Sequence, residues 1–330
     1  MQTDFPAHLR CPCCRRDRTL GLTAEQTDER EVREGTLRCA ACGTEYPVRR
    51  GVGELLLGAP DHIQREAAGL GRFAELMRAD GWTRERIRQL PDIDDGYWYV
   101  QGASINQLLS QVPFVPGQWL LDLGSNTCWA SNFFATRGLR VVALDISLWE
   151  LQGLYTADYF IEDGSSYFER VLGSMTDVPL ASGSLDYVFA CEVLHHNDPG
   201  GLRRAFQEAH RVLKPGGQML VINETLKTAH DPVGVHAEAV AQFEGYEHAH
   251  WAMRYRWEAI RAGFSTRMLE PSYHGFFAVA SSAPKPPLTD LSARWRYELR
   301  SRRAGRKAFL WWINHIVGGT SFQMIATKRG

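Results

Sequence analysis

Five of the seven cysteines fall within the first 42 positions, and four of these form two C-x-x-C pairs, Cys11 with Cys14 and Cys39 with Cys42. A C-x-x-C turn aims two thiolates at one point, and two such turns complete a tetrahedral Zn²⁺ site. In a reducing compartment, clustering of this kind favours a metal over disulfides. Cys13 is the spare thiol, and Gly43 frees the backbone for the second tight turn. Further along, acids close apolar runs: Asp122 follows Trp119-Leu120-Leu121, Asp145 follows Leu139 to Leu144, and Glu224 follows Gln218 to Asn223. A histidine pair, His195-His196, comes soon after the apolar run Tyr187 to Ala190. Carboxylates and imidazoles at the carboxyl ends of strands are groups that hold polar ligands and move protons.

The elements that must position these groups can be read from periodicity. Trp119 to Leu123 is an apolar strand that ends in the small-residue turn Gly124-Ser125-Asn126-Thr127-Cys128. A helical pattern from Trp129 to Arg137 follows, then a second apolar strand closing on Asp145. Strand, turn, helix, strand and terminal acid make up a βαβ nucleotide fingerprint, with the acid 21 residues beyond Gly124. Leu202 to Leu213 is amphipathic and is stopped by Lys214-Pro215-Gly216-Gly217, after which Gln218 to Asn223 is the fifth strand. Thr266 to Glu270 and Thr320 to Lys328 supply strands six and seven, the last one antiparallel. The expected fold is therefore α/β: a Rossmann-like seven-stranded sheet with helices on both faces, preceded by a small zinc ribbon.

The ordered motifs from 115 to 225 resemble class I S-adenosylmethionine-dependent methyltransferases of the ubiquinone-menaquinone and small-molecule type. The turn matches the family's D-x-G-x-G-x-G, but Asn126 and Cys128 stand where the second and third glycines belong. Gly173 to Leu180 is similar to the "GDAxxLPF" segment that holds adenine, with Ser174 in place of the acid. Ser182 to His196 looks like the family's fourth strand and its "VLHH" loop. The resemblance implies a cofactor site formed by Asp122, Gly124, Asn126, Asp145, Ser174, Met175 and Glu192. It further implies that His195 or His196 serves as general base, with Glu224 orienting it or binding the acceptor. The segment Thr44 to Gly53 resembles the end of a Trm112-like zinc ribbon, which implies a structural zinc and a docking or stabilising role for residues 1–57.

Residues 58–114 read as a helical linker or lid, with Tyr97-Trp98-Tyr99 either covering the ligand or packing a helix onto the sheet. Residues 115–330 form the cofactor domain, with a lid at 225–250 and an insertion at 272–318. The lid carries His236, Glu244, Glu247, His248 and His250, and His248 and His250 are expected to touch substrate. The insertion sets Arg294, Arg296, Arg300, Arg302, Arg303, Arg306 and Lys307 ahead of Phe309-Leu310-Trp311-Trp312-Ile313. Such a helix either covers the sheet or lies on a membrane surface and grips a lipid-linked substrate. A formal net charge of −1 gives no global field for a long nucleic acid. No apolar run reaches the roughly 18 residues of a spanning helix, and Met1 to Arg10 lacks a signal-peptide core, so the chain is expected to be cytoplasmic.

The leading expectation is O-methylation of a small molecule or glycan. A zinc-module RNA base methyltransferase, for rRNA or tRNA, is the runner-up. The third expectation is a non-catalytic zinc-ribbon adaptor with a degenerate cofactor domain.

Overall fold

The computed structural model describes residues 1–164, 166–233, 247–270, 302–318 and 321–330, together with Leu291, Arg294, Tyr297 and Glu298. Four strands come first: β1 (Leu20–Thr27), β2 (Val32–Cys39), β3 (Glu45–Arg49) and β4 (Val52–Glu54). Three helices follow, α1 (Asp61–Ala79), α2 (Arg84–Arg88) and α3 (Gly96–Gln111). The central part alternates, with β5 (Trp119–Leu123), α4 (Trp129–Ala135), β6 (Arg140–Asp145), β8 (Leu185–Cys191), α6 (Pro199–Val212) and β9 (Leu213–Glu224) where the periodicity predicts them and α5 (Asp158–Ile161) and β7 (Glu169–Leu172) added between. The two-residue strands β10 (Leu226–Lys227) and β11 (His250–Trp251) pair with each other. The chain closes with α7 (Ala252–Arg261), β12 (Phe264–Met268), α8 (Arg303–Trp312) and β13 (Phe322–Lys328).

Seven strands in the order β7-β6-β5-β8-β9-β13-β12 form the expected sheet, parallel except for β13, which runs antiparallel to both neighbours. Side chains alternate across it, so Leu121 and Leu123 face one core while Leu120 faces the other. One core is roofed by α6 and α7 through Leu202, Phe206, Val212, Tyr255 and Ala259. The opposite core is covered by α3 and α4 through Ile105, Leu108, Trp129 and Phe134. Helices on both faces of a largely parallel sheet leave the carboxyl ends of the strands free to build a site.

The N-terminal strands add a feature absent from the expectation. β4 pairs in parallel with β7, so the ribbon extends the same sheet to eleven strands. Cys11, Leu37, Tyr46 and Val48 accordingly share one core with Leu121 and Val188. Beneath that junction lies fully buried Arg170, ion-paired to Glu31 of the ribbon and, at 3.1 Å, to Asp158. Glu31 also pairs with the Met1 ammonium and Arg33, and Asp158 with Arg33 and Arg50, so the buried charges are compensated as a network.

Within the expected insertion, α8 buries Leu310 and exposes Trp311 and Trp312, Ile313 just after it is buried, and Arg306 pairs with Glu270 at 3.3 Å. Arg296 and Arg300, like His236 and Glu244 of the expected lid, lie outside the described residues. No helix among the described residues is long and apolar enough to cross a membrane.

Candidate active site and metal centre

A cavity of about 770 Å³ opens at the carboxyl ends of β5, β6 and β8. The turn after β5 forms its floor. Gly124 has φ +74, and a Cβ there would meet Val193 Cγ2 at 2.2 Å, so the position needs glycine twice over. Asn126 and Cys128 also take positive φ, 44 and 56, so they keep the backbone path that glycines take in the resembled motif. Buried Cys128 then caps α4. Such strain costs about 1–3 kcal/mol per residue and persists only where the surroundings enforce it.

Two carboxylates face this floor. Asp122 is buried and accepts a 2.6 Å hydrogen bond from Ser131 Oγ, and burial pushes its pKa up to about 7. Asp145 ends β6 and accepts the amides of Asn126 (2.8 Å) and Ser147 (2.9 Å), while burial pushes it up to about 6. Each Asp145 oxygen therefore keeps a lone pair for a ligand. Thr127 Oγ1, buried beside the same turn, has no hydrogen-bond partner among the described residues. Buried polar groups are normally satisfied, so this hydroxyl and the two acids suit a polar ligand with amine and hydroxyl groups. Ser174 and Met175 line the wall, with Ser174 Oγ 2.9 Å from Thr176 Oγ1, whereas Asp177 points to Arg15 of the ribbon at 3.3 Å.

The opposite wall comes from the linker. Trp98 is buried between Trp82 and Trp129 and packs α3 onto the domain. Tyr97 stands at the rim and donates a 2.5 Å hydrogen bond to Glu192, whose own pKa burial raises. Of the two expected roles of this aromatic run, Trp98 takes the packing one. Ile63, Leu70, Phe73 and Met77 of α1 complete an apolar side.

At the far end stand the histidines. Glu224, fully buried, accepts the amides of Val193, Leu194 and His195 and the Nδ1–H of His195 at 3.0 Å. Burial would raise its pKa, but His195 and those amides outweigh burial and hold it below the usual range. His196 Nδ1 lies 2.6 Å from Glu66 Oε1 of α1, an ion pair by distance whose hydrogen-bond angle is poor. Burial lowers the His196 pKa, yet Glu66, Glu247 and Glu224 together carry it up to about 9. Of the two histidines, His196 lines the cavity and His195 sits behind it, ring centroids 4.5 Å apart. His250 gives Nε2 to the Asn197 carbonyl at 2.9 Å and packs on Tyr255, and neither it nor His248 lines the cavity. Glu66, which helical spacing alone does not distinguish from a solvated residue, is the site residue that sequence reasoning missed.

The cysteine cluster is assembled as its spacing implies. Cys11 and Cys42 Sγ are 3.7 Å apart, as are those of Cys14 and Cys39. A tetrahedron with Zn–S bonds of about 2.3 Å has S···S edges of about 3.8 Å, so the four thiols fit zinc. Hydroxyls of Tyr46, Thr19 and Thr44 lie 3.1–3.3 Å from Cys11, Cys39 and Cys42, the usual outer support for thiolates. Contacts with Thr44 hold Cys42 down to about 6, whereas Cys13 is exposed and stands outside the group.

The switch-point turn and the terminal acids of a Rossmann-like sheet thus surround one cavity, at the place where ligands bind in open α/β sheets. Residues 121–221 match the family described as "Methyltransferase domain". The chain is 34% identical over 115 residues to demethylmenaquinone methyltransferase of Renibacterium salmoninarum, covering 34% of this chain and 44% of the relative. It is 31% identical over 156 residues to malonyl-[acyl-carrier protein] O-methyltransferase of Dechloromonas aromatica, covering 45% and 54%. The chain thus spans about half or less of the length of these relatives. Among solved structures, geranyl diphosphate C-methyltransferase from Streptomyces coelicolor A3(2) superposes with a TM-score of 0.50 at 15% identity, over 82% of this chain and 99% of that one. That likeness concerns the fold.

Proposed function

We propose that the protein is an S-adenosylmethionine-dependent methyltransferase that methylates an oxygen of a small molecule. The observation that carries the reading is the pair of buried acids, Asp122 and Asp145, flanking a positive-φ turn on the floor of one cavity. The named relatives, which are methyltransferases, support it. When bound, the cofactor supplies an electrophilic methyl group on a sulfonium. Asp145 would hold its ribose hydroxyls, Asp122 its ammonium, and Ser174 and Met175 its adenine. Tyr97 and Glu192 narrow the rim, and Trp98 and Trp129 exclude water from one side. His196 is the histidine that meets the acceptor, and Glu66 fixes its ring. Positioning of this kind is the main contribution a protein makes to an in-line displacement. We further propose that Cys11, Cys14, Cys39 and Cys42 hold a structural zinc in a Trm112-like ribbon.

Isothermal titration of S-adenosylmethionine into the full chain tests the cofactor. Micromolar affinity is expected, and no heat of binding up to millimolar cofactor would sink the enzyme reading. His196→Ala should lower turnover about 100-fold or more while leaving cofactor affinity within a few-fold. Wild-type turnover in that variant would remove His196 from the acceptor end.

A further inference from the structure

We propose that His195, His196 and Glu247 form a second metal site, which takes one first-row divalent transition ion at the acceptor end of the cavity. One ring nitrogen from each histidine and a carboxylate oxygen of Glu247 lie within 4.8 Å of one another. Independently, each histidine has a carboxylate beside Nδ1: Glu224 is hydrogen-bonded to His195 at 3.0 Å, and Glu66 lies 2.6 Å from His196 as an ion pair without hydrogen-bond geometry. For His195 this is the outer-shell pattern of metal-binding histidines, in which a carboxylate takes one ring nitrogen, fixes the tautomer and leaves Nε2 for the ion, and Glu66 stands where it could do the same for His196. Two carboxylate-backed imidazoles facing each other have little purpose as two bases, because one acceptor proton needs only one. They do make sense as a preorganised ligand pair.

The surrounding charge agrees. Glu66, Glu224 and Glu247 all act on His196, and the His195 charge acts on Glu192, so carboxylates outnumber imidazoles at this end. Two imidazoles and one carboxylate leave coordination positions open, and that donor set suits Zn²⁺, Fe²⁺ or Co²⁺ better than Ca²⁺ or Mg²⁺. The Cys11–Cys42 centre differs in kind: four sulfurs close its tetrahedron and leave no position for a ligand. Since His196 lines the cavity, an ion here could take an acceptor oxygen as a ligand. That role rests on the methyltransferase reading, whereas the site itself does not.

Co²⁺ titrated into the zinc-loaded full chain provides the test. One equivalent should bind saturably with weak visible bands and without the near-ultraviolet thiolate charge-transfer band that a cysteine site gives. Glu247→Gln and His196→Gln should each weaken that binding by about 10-fold or more, and Glu66→Gln by about 10-fold. Because variants can misfold, proton NMR of the wild type gives a second reading: the His195 and His196 ring signals should broaden with the first equivalent of Co²⁺. Absence of saturable uptake below millimolar Co²⁺, or uptake unaltered in Glu247→Gln and His196→Gln, overturns the site. Cobalt binding without S-adenosylmethionine binding would keep the site and remove only its role at the acceptor.

Discussion

Asp122, Asp145 and Glu169 are buried acids with pKa values raised by burial to about 7, 6 and 7. A folded-state value above the unfolded one means that the native state favours the proton. As pH falls from above 7 towards the unfolded values near 4, these groups therefore add stability. The ligand-free protein should melt at a higher temperature near pH 5.5 than near pH 8, which scanning calorimetry can check. Cofactor binding should run the other way, because a cationic ammonium and two ribose hydroxyls need Asp122 and Asp145 ionised. Affinity for S-adenosylmethionine is expected to rise with pH through 6 to 7 and then level off, and a pH-independent affinity would separate these acids from the cofactor. Gly124→Ala forces a Cβ to within 2.2 Å of Val193 at φ +74 and should cost about 1–3 kcal/mol in chemical denaturation. Asp122, Gly124 and Asp145 are legible in the sequence because an acid or glycine interrupting an apolar run must have a local reason. Glu66 is not, since its partner His196 lies 130 positions away and nothing on its own helix distinguishes it.

At the scale of elements, helix and strand periodicity locates β5, β6, β8 and β9 because strands buried on both faces are continuously apolar. Boundaries move where tertiary pairing prevails: Lys214-Pro215-Gly216-Gly217 ends α6 as expected, yet it already runs as the start of β9. The parallel β4–β7 pairing leaves no local trace, because three short residues pair with a strand more than a hundred positions on. Arg170 fastens that junction. Replacing it with Met removes a fully buried cation from Glu31 and Asp158 but leaves them Arg33, the Met1 ammonium and Arg50. The loss should therefore stay below the roughly 3–5 kcal/mol of a fully broken buried pair. Glu31 also sets an acid limit. Burial opposes its charge, but Arg170 and the Met1 ammonium together override burial and hold its pKa down to about 2. The stability it contributes is present above its unfolded value near 4.5 and is lost as pH falls from there towards 2. Acid titration of the wild type should therefore show loss beginning below about pH 4.5, and in the Arg170→Met variant that component should be smaller, the Met1 ammonium keeping part of it.

For the molecule as a whole, eleven strands in one sheet make the ribbon and the cofactor domain a mechanical unit, with Cys11 and Tyr46 in the same core as Leu121. A ribbon of this size cannot build an adequate core by itself, so zinc binding would supply much of its folding free energy. Because the two parts share one core, that free energy is felt at the cavity. Scanning calorimetry of the zinc-loaded chain should then show a single transition rather than separate ribbon and domain steps. Chelating the metal should lower that one transition and weaken S-adenosylmethionine binding in the same titration, because both ligands bind only the folded sheet. Reciprocity follows from linkage: saturating cofactor should tighten zinc binding, read at equilibrium by competition with a chromophoric chelator. Two resolved transitions, with cofactor affinity indifferent to chelation, would show that the ribbon rides on the domain without stabilising it. In that event β4 would be an edge cover for β7 and no more.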